Sequence, residues 1–302
     1  PLDRGGSAAR EVVAGSARET GAGERRPDVV FPLIHGTHGE DGSLQGLLDL
    51  AEIPYVGAGI LASAVGMDKA VFKAVMHSHG IPVTPYRLVV VTRGAASGAG
   101  GGGGAEGEWQ RLAGELGYPL FVKPANGGSS LGVVKVKSEG DLAAAVRAAA
   151  EYDRRVLLEK AIAGRELECA VLGNDEPEAS VAGEVIPGHE FYDYADKYFD
   201  DKARTEVPAR ITPEQMERVR DLAVRAFRAI DGAGMARADF FLEEGTGELY
   251  VNEINTIPGF TPISMYPKLW EASGVPFPRL LDRLILLALE RAEGTRSRKL
   301  SP

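Results

Sequence analysis

Arg237, Asp239, Glu253 and Asn255 lie in two short segments and are of the types that hold a cation against phosphate. The first segment, Arg237-Ala-Asp-Phe-Phe-Leu, alternates as a half-buried strand does; Glu243-Glu-Gly-Thr-Gly-Glu248 reads as a turn, and Leu249-Tyr-Val-Asn-Glu-Ile returns, so a hairpin is expected. Glu253 and Asn255, two residues apart, share a face, and plausible pairings set Asp239 opposite them. Two carboxylates and an amide oxygen suit a hard cation such as magnesium, which takes its other ligands from water and substrate phosphates. Arg237 stands one strand step from Asp239 on the same face. The plain alternative is a surface hairpin of solvated acids, with Arg237 merely ion-paired to Asp239 or Glu253.

A second constellation could meet the phosphates. Lys123 ends the strand-like run Leu120-Phe-Val-Lys-Pro and is followed by Asn126-Gly-Gly-Ser129-Ser130-Leu-Gly132. The loop lacks Gly-Lys-Ser/Thr and leads into a strand, so it is not a P-loop. A glycine-rich turn between antiparallel strands can lie over phosphates as a flap, with backbone N–H groups and the Ser129 and Ser130 hydroxyls as donors; a mere hairpin turn is the alternative. Lys69 and Lys73, spaced i and i+4 in a helical pattern, share one helix face.

The composition narrows the class. The chain has 302 residues, 44% of them hydrophobic, and a formal net charge of −9, which suits a globular protein of two or three domains and disfavours a nucleic-acid scaffold. A single cysteine, Cys169, excludes an intrachain disulfide and reads as a buried core residue. No apolar run approaches the roughly 20 residues of a membrane span and no secretory signal opens the chain, so a cytoplasmic location is the default expectation.

Strand, loop and helix succeed one another as α/β grammar. Strands are expected over 28–34 and 53–57, the first ending in the loop His35-Gly-Thr-His-Gly-Glu-Asp-Gly42, with helices from Ser43 and over 67–76. Further on come a strand at 87–91, a helix over 108–116, strands at 120–124 and 133–136, a helix over 141–150 and a strand at 155–159. Thr212-Pro213-Glu214-Gln215 is a capping box that opens a helix to about Ile230, and residues 278–291 form the last helix. Residues 1–27 read as poorly structured or trimmed, and 94–107, with five glycines at 100–104, as a flexible insertion. The stretch 188–208, carrying Tyr192, Tyr194, Lys197 and Tyr198, is too long and too aromatic for a plain connector and reads as a lid.

Taken together, in order, these motifs resemble the ATP-grasp enzymes and, within them, the D-alanine:D-alanine ligases. The matching pieces are His35-Gly-x-x-Gly-Glu-Asp-Gly42 with Gln45-Gly46, Ile53-Pro-Tyr-Val-Gly57, Met67-Asp-Lys69, Lys123-Pro-Ala with Gly128-Ser-Ser-x-Gly132, Phe191-Tyr-Asp-Tyr-x-x-Lys197-Tyr198, and Asn255-Thr-x-Pro-Gly259-Phe-Thr-Pro-x-Ser264-Met265-Tyr266. The resemblance implies an α/β fold of ATP-grasp architecture: a truncated N-terminal parallel-sheet domain (28–66), a central flap domain (67–158) and a C-terminal antiparallel-sheet domain (159–302).

It also implies roles. Lys69, Lys123, Ser130 and Lys197 would contact ATP phosphates; Glu159, Lys160 and Ile162 would line the adenine, and Glu166 would take the ribose. On sequence alone Glu166 and Glu168 both alternate outward on one strand face, and only the resemblance singles out Glu166. Asp239, Glu253 and Asn255 would hold two magnesium ions, with manganese as a substitute. Arg237 and the Gly259 N–H would stabilise the reacting centre, Tyr198 and Ser129 would close on the second amino acid, Ser264 and Met265 would bind its carboxylate, and His35 and Glu40 would lie near the first subsite. D-Alanine is the implied substrate, joined through a D-alanyl phosphate for cell-wall precursor synthesis, and a homodimer the implied assembly.

The family's opening strand with its His-Glu-Val-Ser-like segment has no counterpart upstream of Asp28. That departure keeps two alternatives in view, a nucleotide-binding remnant that grips Mg-ATP without ligating, and a ligase taking D-serine or D-lactate second. Members of the family that make the ester lack the lid tyrosine, so Tyr198 points to an amine nucleophile.

Overall fold

The computed structural model describes residues 26–92, 102–128, 131–186, 204–261 and 263–297. Residues 1–25 of the segment expected to be poorly structured or trimmed, and most of the lid, lie outside these residues. So do Ser129, Ser130, Tyr192, Tyr194, Lys197 and Tyr198.

Near the N-terminus the expected strands at 28–34 and 53–57 are reduced to one parallel bridge, Val30 with Tyr55, held by Val30 N–H to Pro54 O at 2.8 Å and Val56 N–H to Val30 O at 2.9 Å. Leu33 and Ile34 are exposed. Parallel strands are ordinarily buried among neighbours on both faces, and two short segments supply too few ladder bonds. The bridge is instead tied to the C-terminal helix, where Arg291 donates to Gly57 O at 2.5 Å and Tyr55 O at 3.0 Å and lies 4.1 Å over the Tyr55 ring.

Helices α1 (Ser43–Leu50), α2 (Ile60–Met67) and α3 (Lys69–Ser78) follow. Asp68 ends α2 and caps α3, accepting from Ala70 and Val71 N–H while Arg155 pairs with it at 2.5 Å. One residue thereby satisfies two orphan helix donors and ties α3 to the central sheet.

The central sheet comprises β1 (Tyr86–Val90), β2 (Leu120–Pro124), β3 (Val134–Val136) and β4 (Arg155–Lys160) in the order β1-β4-β2-β3, all antiparallel. Helices α4 (Gly102–Leu116) and α5 (Glu139–Ala150) cover one face, burying Trp109, Leu120, Val122, Leu142, Val146, Val156 and Leu158 together. Alternation sends Lys123, Leu157 and Glu159 to the other face. The glycine run is not wholly an insertion, because α4 begins at Gly102, six residues before the expected start. Packing overrides propensity there: Ala105 seats against the core and Glu106 pairs with Arg147 of α5.

The C-terminal sheet comprises β5 (Gly164–Gly173), β6 (Glu178–Ile186), β7 (Arg204–Glu206), β8 (Gly234–Glu243) and β9 (Leu249–Asn255), antiparallel in the order β7-β6-β5-β8-β9. The end of the expected lid is thus an edge strand. Helix α6 (Pro213–Ala229) starts with the Thr212–Gln215 capping box read from the sequence and packs on one face with Phe72 and Met76 of α3, over Leu167, Cys169, Ala236, Ala238 and Phe240. The opposite face is apolar at one end, where Ala170, Leu172, Val185 and Met235 lie under α7 (Met265–Ala272) and α8 (Phe277–Arg296). At its other end it is charged.

The hairpin forms as expected, with an irregularity that decides where Glu253 points. Phe240 pairs with Val251, but Asp239 pairs with Glu253, so Asn252 is an extra residue on β9. Val251 faces the core, and strict alternation would send Glu253 there too. The bulge turns Glu253 to the face that bears Asp239. Deleting Asn252 would join Val251 directly to Glu253, and regular alternation would then keep Val251 in the core and Glu253 opposite Asp239; the deletion variant should therefore keep magnesium-dependent ATP binding in calorimetric titration, and its loss would refute this.

Candidate active site

Three carboxylates stand in one row across the charged end of the C-terminal sheet. Glu168 is opposite Asp239, and Asp239 is opposite Glu253. In the next row Ala170 faces Arg237 and Arg237 faces Asn255. Arg237 forks onto Asp239 with two contacts of 2.7 Å and reaches Glu168 at 3.1 Å, while the Asn255 amide donates to Asp239 at 3.0 Å. Burial alone would lower the Arg237 pKa, but Asp239 and Glu168 raise it well above its ordinary value; the guanidinium is a fixed charge. Expected outward exposure for Glu168 is overturned: it is only 8% exposed, because the polar face it shares with Glu166 borders Arg237 at that position.

Across from this row lies a compact basic cluster. Glu159 Oε1 is 2.7 Å from Lys123 Nζ, and Glu159 Oε2 is 2.9 Å from Lys73 Nζ, the second contact an ion pair off the hydrogen-bond direction. Lys73 also donates to Thr84 Oγ1 at 2.6 Å. Burial would raise the Glu159 carboxyl, yet the Lys123 and Lys73 ammoniums hold it down to about 2. Burial brings Lys73 down to about 8 against the opposing pull of Glu159. Lys69 and Lys73 therefore differ in surroundings despite their shared spacing. Lys69 Nζ bonds Gly127 O at 2.6 Å at the mouth of the flap, whereas Lys73 is completely buried.

The remaining residues frame these two clusters. At the hinge, Lys160 N–H is bonded to Pro85 O at 2.9 Å and Ala161 N–H to Pro119 O at 3.2 Å, and the Glu159 side chain is committed to the lysines. Ile162 and Glu166 are half-exposed beside it. Gly36 N–H donates to Glu40 at 2.6 Å; burial raises the Glu40 pKa, opposed by that bond and by the nearby His35, with His35 itself exposed. At the end of the sheet, Ser264 Oγ accepts from Thr261 N–H at 3.0 Å. A Cβ on Gly259 would lie 2.7 Å from Ser264 Oγ and would displace that hydroxyl from its bond with Thr261 N–H. Met265 opens α7 with its side chain buried.

The donor set fits magnesium. Among the described residues no group of three or more His, Cys, Asp or Glu side chains forms a metal cage. Asp239, Glu253 and the Asn255 amide supply a partial oxygen set, as expected for an ion completed by water and phosphate.

Sequence reasoning missed Lys73 and Glu168. The signal for Lys73 was its place between Phe72 and Met76, both fully buried, which puts it at the margin of an apolar stripe. For Glu168 it was the shared face with Arg237, visible only once the strand pairing is known.

Two antiparallel sheets, one bearing a lysine cluster and a glycine flap and the other a row of acids, define the ATP-grasp class of fold. The comparisons with known proteins make the assignment particular. The family descriptions "D-ala D-ala ligase C-terminus" and "D-ala D-ala ligase N-terminus" match residues 75–286 and 5–58, so residues upstream of Asp28 fall inside the second match. A D-alanine–D-alanine ligase of Solibacter usitatus is 54% identical over 264 residues, 87% of this chain and 77% of that protein. One of Geobacillus kaustophilus is 52% identical over 271 residues, 90% and 72%. Among solved structures, the D-alanine-D-alanine ligase of Coxiella burnetii superposes with a TM-score of 0.77 at 44% identity, covering 89% of this chain and 70% of that one. The VanG D-Ala:D-Ser ligase of Enterococcus faecalis gives 0.75 at 39%, covering 86% and 73%. The chain belongs to the D-alanine–D-alanine ligase family.

A carboxyl held lower in the folded than in the unfolded chain contributes stability above its unfolded pKa and loses it as pH falls. For Glu159 that window runs from 4.5 down to about 2, and the contribution is on the order of 3 kcal/mol. In denaturant melts from pH 6 to pH 2, the stability gap between the parent and Glu159→Gln should narrow across this window; a constant gap would contradict the pairing.

Proposed function

We propose that this chain joins two D-alanine molecules into D-alanyl-D-alanine at the expense of ATP, through a D-alanyl phosphate, for peptidoglycan precursor synthesis. The observation that carries the reading is the nearness of the Glu168–Asp239–Glu253 row, with Arg237 forked across it, to the Lys73–Glu159–Lys123 cluster: Glu253 acts on Lys73, and α3 packs on the acidic sheet while Lys73 reaches the other. It is joined to family membership at about half identity.

Amide formation from a free carboxylate is uphill, so the first carboxylate is activated by attack on the γ-phosphorus, with ADP leaving. Lys69, Lys123, Ser130 and Lys197 bind the phosphates. Ile162 offers its N–H and apolar side chain to the base beside Glu159 and Lys160, and Glu166 takes the ribose. Asp239, Glu253 and Asn255 hold magnesium, two ions in our reading with manganese able to replace them, which neutralises phosphate charge when bound. The amine of the second D-alanine then attacks the acyl carbon and phosphate departs, the amine proton passing to solvent or phosphate. Arg237 and the Gly259 N–H stabilise the oxyanion, a type of donor worth roughly 10²–10³ in kcat. Ser264 and the Met265 N–H, at the first turn of α7 where helix donors are unsatisfied, bind the second carboxylate. His35 and Glu40 border the first subsite, and Tyr198 with Ser129 closes over the second amino acid to exclude water from the acyl phosphate.

No helix among the described residues is long and apolar enough to cross a membrane. We place the reaction in the cytoplasm, carried out by a homodimer and without nucleic acid or membrane partners, on the family likeness. With Mg-ATP and D-alanine the chain should release ADP, phosphate and D-alanyl-D-alanine in equal amounts, with D-serine and D-lactate poor second substrates in competition. Magnesium-dependent ATP binding without dipeptide would overturn the ligase reading, and preferential D-alanyl-D-serine or D-alanyl-D-lactate would overturn the second-substrate assignment.

A further inference from the structure

Lys73 is the one fully buried ammonium among the described residues, and none of the steps above uses it. It sits on α3, whose neighbours Phe72 and Met76 are packed into the core of the C-terminal sheet, yet its Nζ reaches β4 of the central sheet. There it donates to Thr84 Oγ1 at 2.6 Å, lies 2.9 Å from Glu159 and stands 5.9 Å from the centre of the Tyr86 ring. Glu159 uses its other oxygen for Lys123, at 2.7 Å. The Lys123 side chain is about 10% exposed and Lys73 not at all. The buried partner thus stands behind the carboxylate, and the cleft partner in front of it.

Charge counting gives the consequence. A carboxylate shared with Lys123 alone would make a neutral pair, a poor attractor for a triphosphate. With Lys73 behind it, the cluster of two ammoniums and one carboxylate carries a net charge of +1, expressed at Lys123 because Lys73 is sealed from the cleft. Low local polarity strengthens both effects. Lys73 also fixes the carboxylate from the rear, so Glu159 does not turn with Lys123 when phosphate arrives. Were Lys73 only a staple between α3 and the central sheet, Thr84 and Glu159 would serve equally well as its partners, but the charge at Lys123 would have no bearing on its role.

We propose that Lys73 is a positioning residue for ATP: by sharing Glu159 it leaves the Lys123 ammonium electrostatically uncancelled and aimed at the nucleotide phosphates. This rests on the ligase reading above and deepens it at the same site.

The test compares Lys73→Met, which leaves the neutral Glu159–Lys123 pair, with the double variant Lys73→Met/Glu159→Gln, which restores the net charge of +1 while leaving the lysine absent. Lys73→Met should raise the KM and Kd for Mg-ATP about tenfold, with kcat changed less and the KM for D-alanine within about twofold. The double variant should recover ATP affinity to within about threefold of the parent. A double variant that binds ATP as weakly as the single one, or a single variant with unchanged ATP affinity, would overturn the proposal. If Lys73→Met does not fold, Lys73→Gln keeps a donor for Thr84, makes the same charge change and carries the same expectation. Failure of the ligase reading would be seen separately, as absence of dipeptide from the parent enzyme, whereas ATP affinity read by titration judges Lys73 alone.

Discussion

Repulsion among Glu168, Asp239 and Glu253, side by side across three strands, is the constraint around which the site is organised. Neighbouring carboxylates on one sheet face disfavour joint ionisation unless cations lie among them. Arg237 supplies one such cation, forked on Asp239 and within 3.1 Å of Glu168. In our account magnesium supplies the rest on binding between Asp239, Glu253 and Asn255. Glu168 would then give Arg237 a second anchor while Asp239 holds the metal.

The opposite wall answers with the reverse sign. Lys69, Lys73 and Lys123 outnumber the single carboxylate of Glu159 among them. In the proposed reading a triphosphate between the two walls would meet ammoniums on one side and carboxylates able to hold magnesium on the other. Helix α3 links the walls, since Phe72 and Met76 pack on the acidic sheet's core while Asp68 and Lys73 bond to residues of the basic sheet, Arg155 and Glu159. Its position therefore sets the spacing of charges across the cleft.

Much of this was legible in the sequence because it depends on local chemistry. The hairpin announced itself by alternation and a glycine turn, the Thr212 capping box by its four residues, and the motif order by simple succession. What was not legible depends on tertiary pairing. Val251 and Glu253 have the same parity, so a regular strand would have buried one with the other; only the extra residue Asn252 separates them. From the sequence Lys73 shows only a helix face shared with Lys69; its partners Thr84 and Glu159 come from distant segments that only the fold brings to it. Residues 28–34 have the composition of a strand but make only one bridge, and the glycines at 102–104 are helical because the helix they begin is held by Trp109 and by the Glu106–Arg147 pair.

The central claim is that phosphoryl transfer to a D-alanine carboxylate precedes amide formation. It is tested most directly by supplying D-alanine labelled with ¹⁸O in its carboxylate and analysing the released phosphate by mass. The account predicts one labelled oxygen in the phosphate for every dipeptide formed, because the oxygen that attacks phosphorus leaves with it. Dipeptide accompanied by unlabelled phosphate would contradict it.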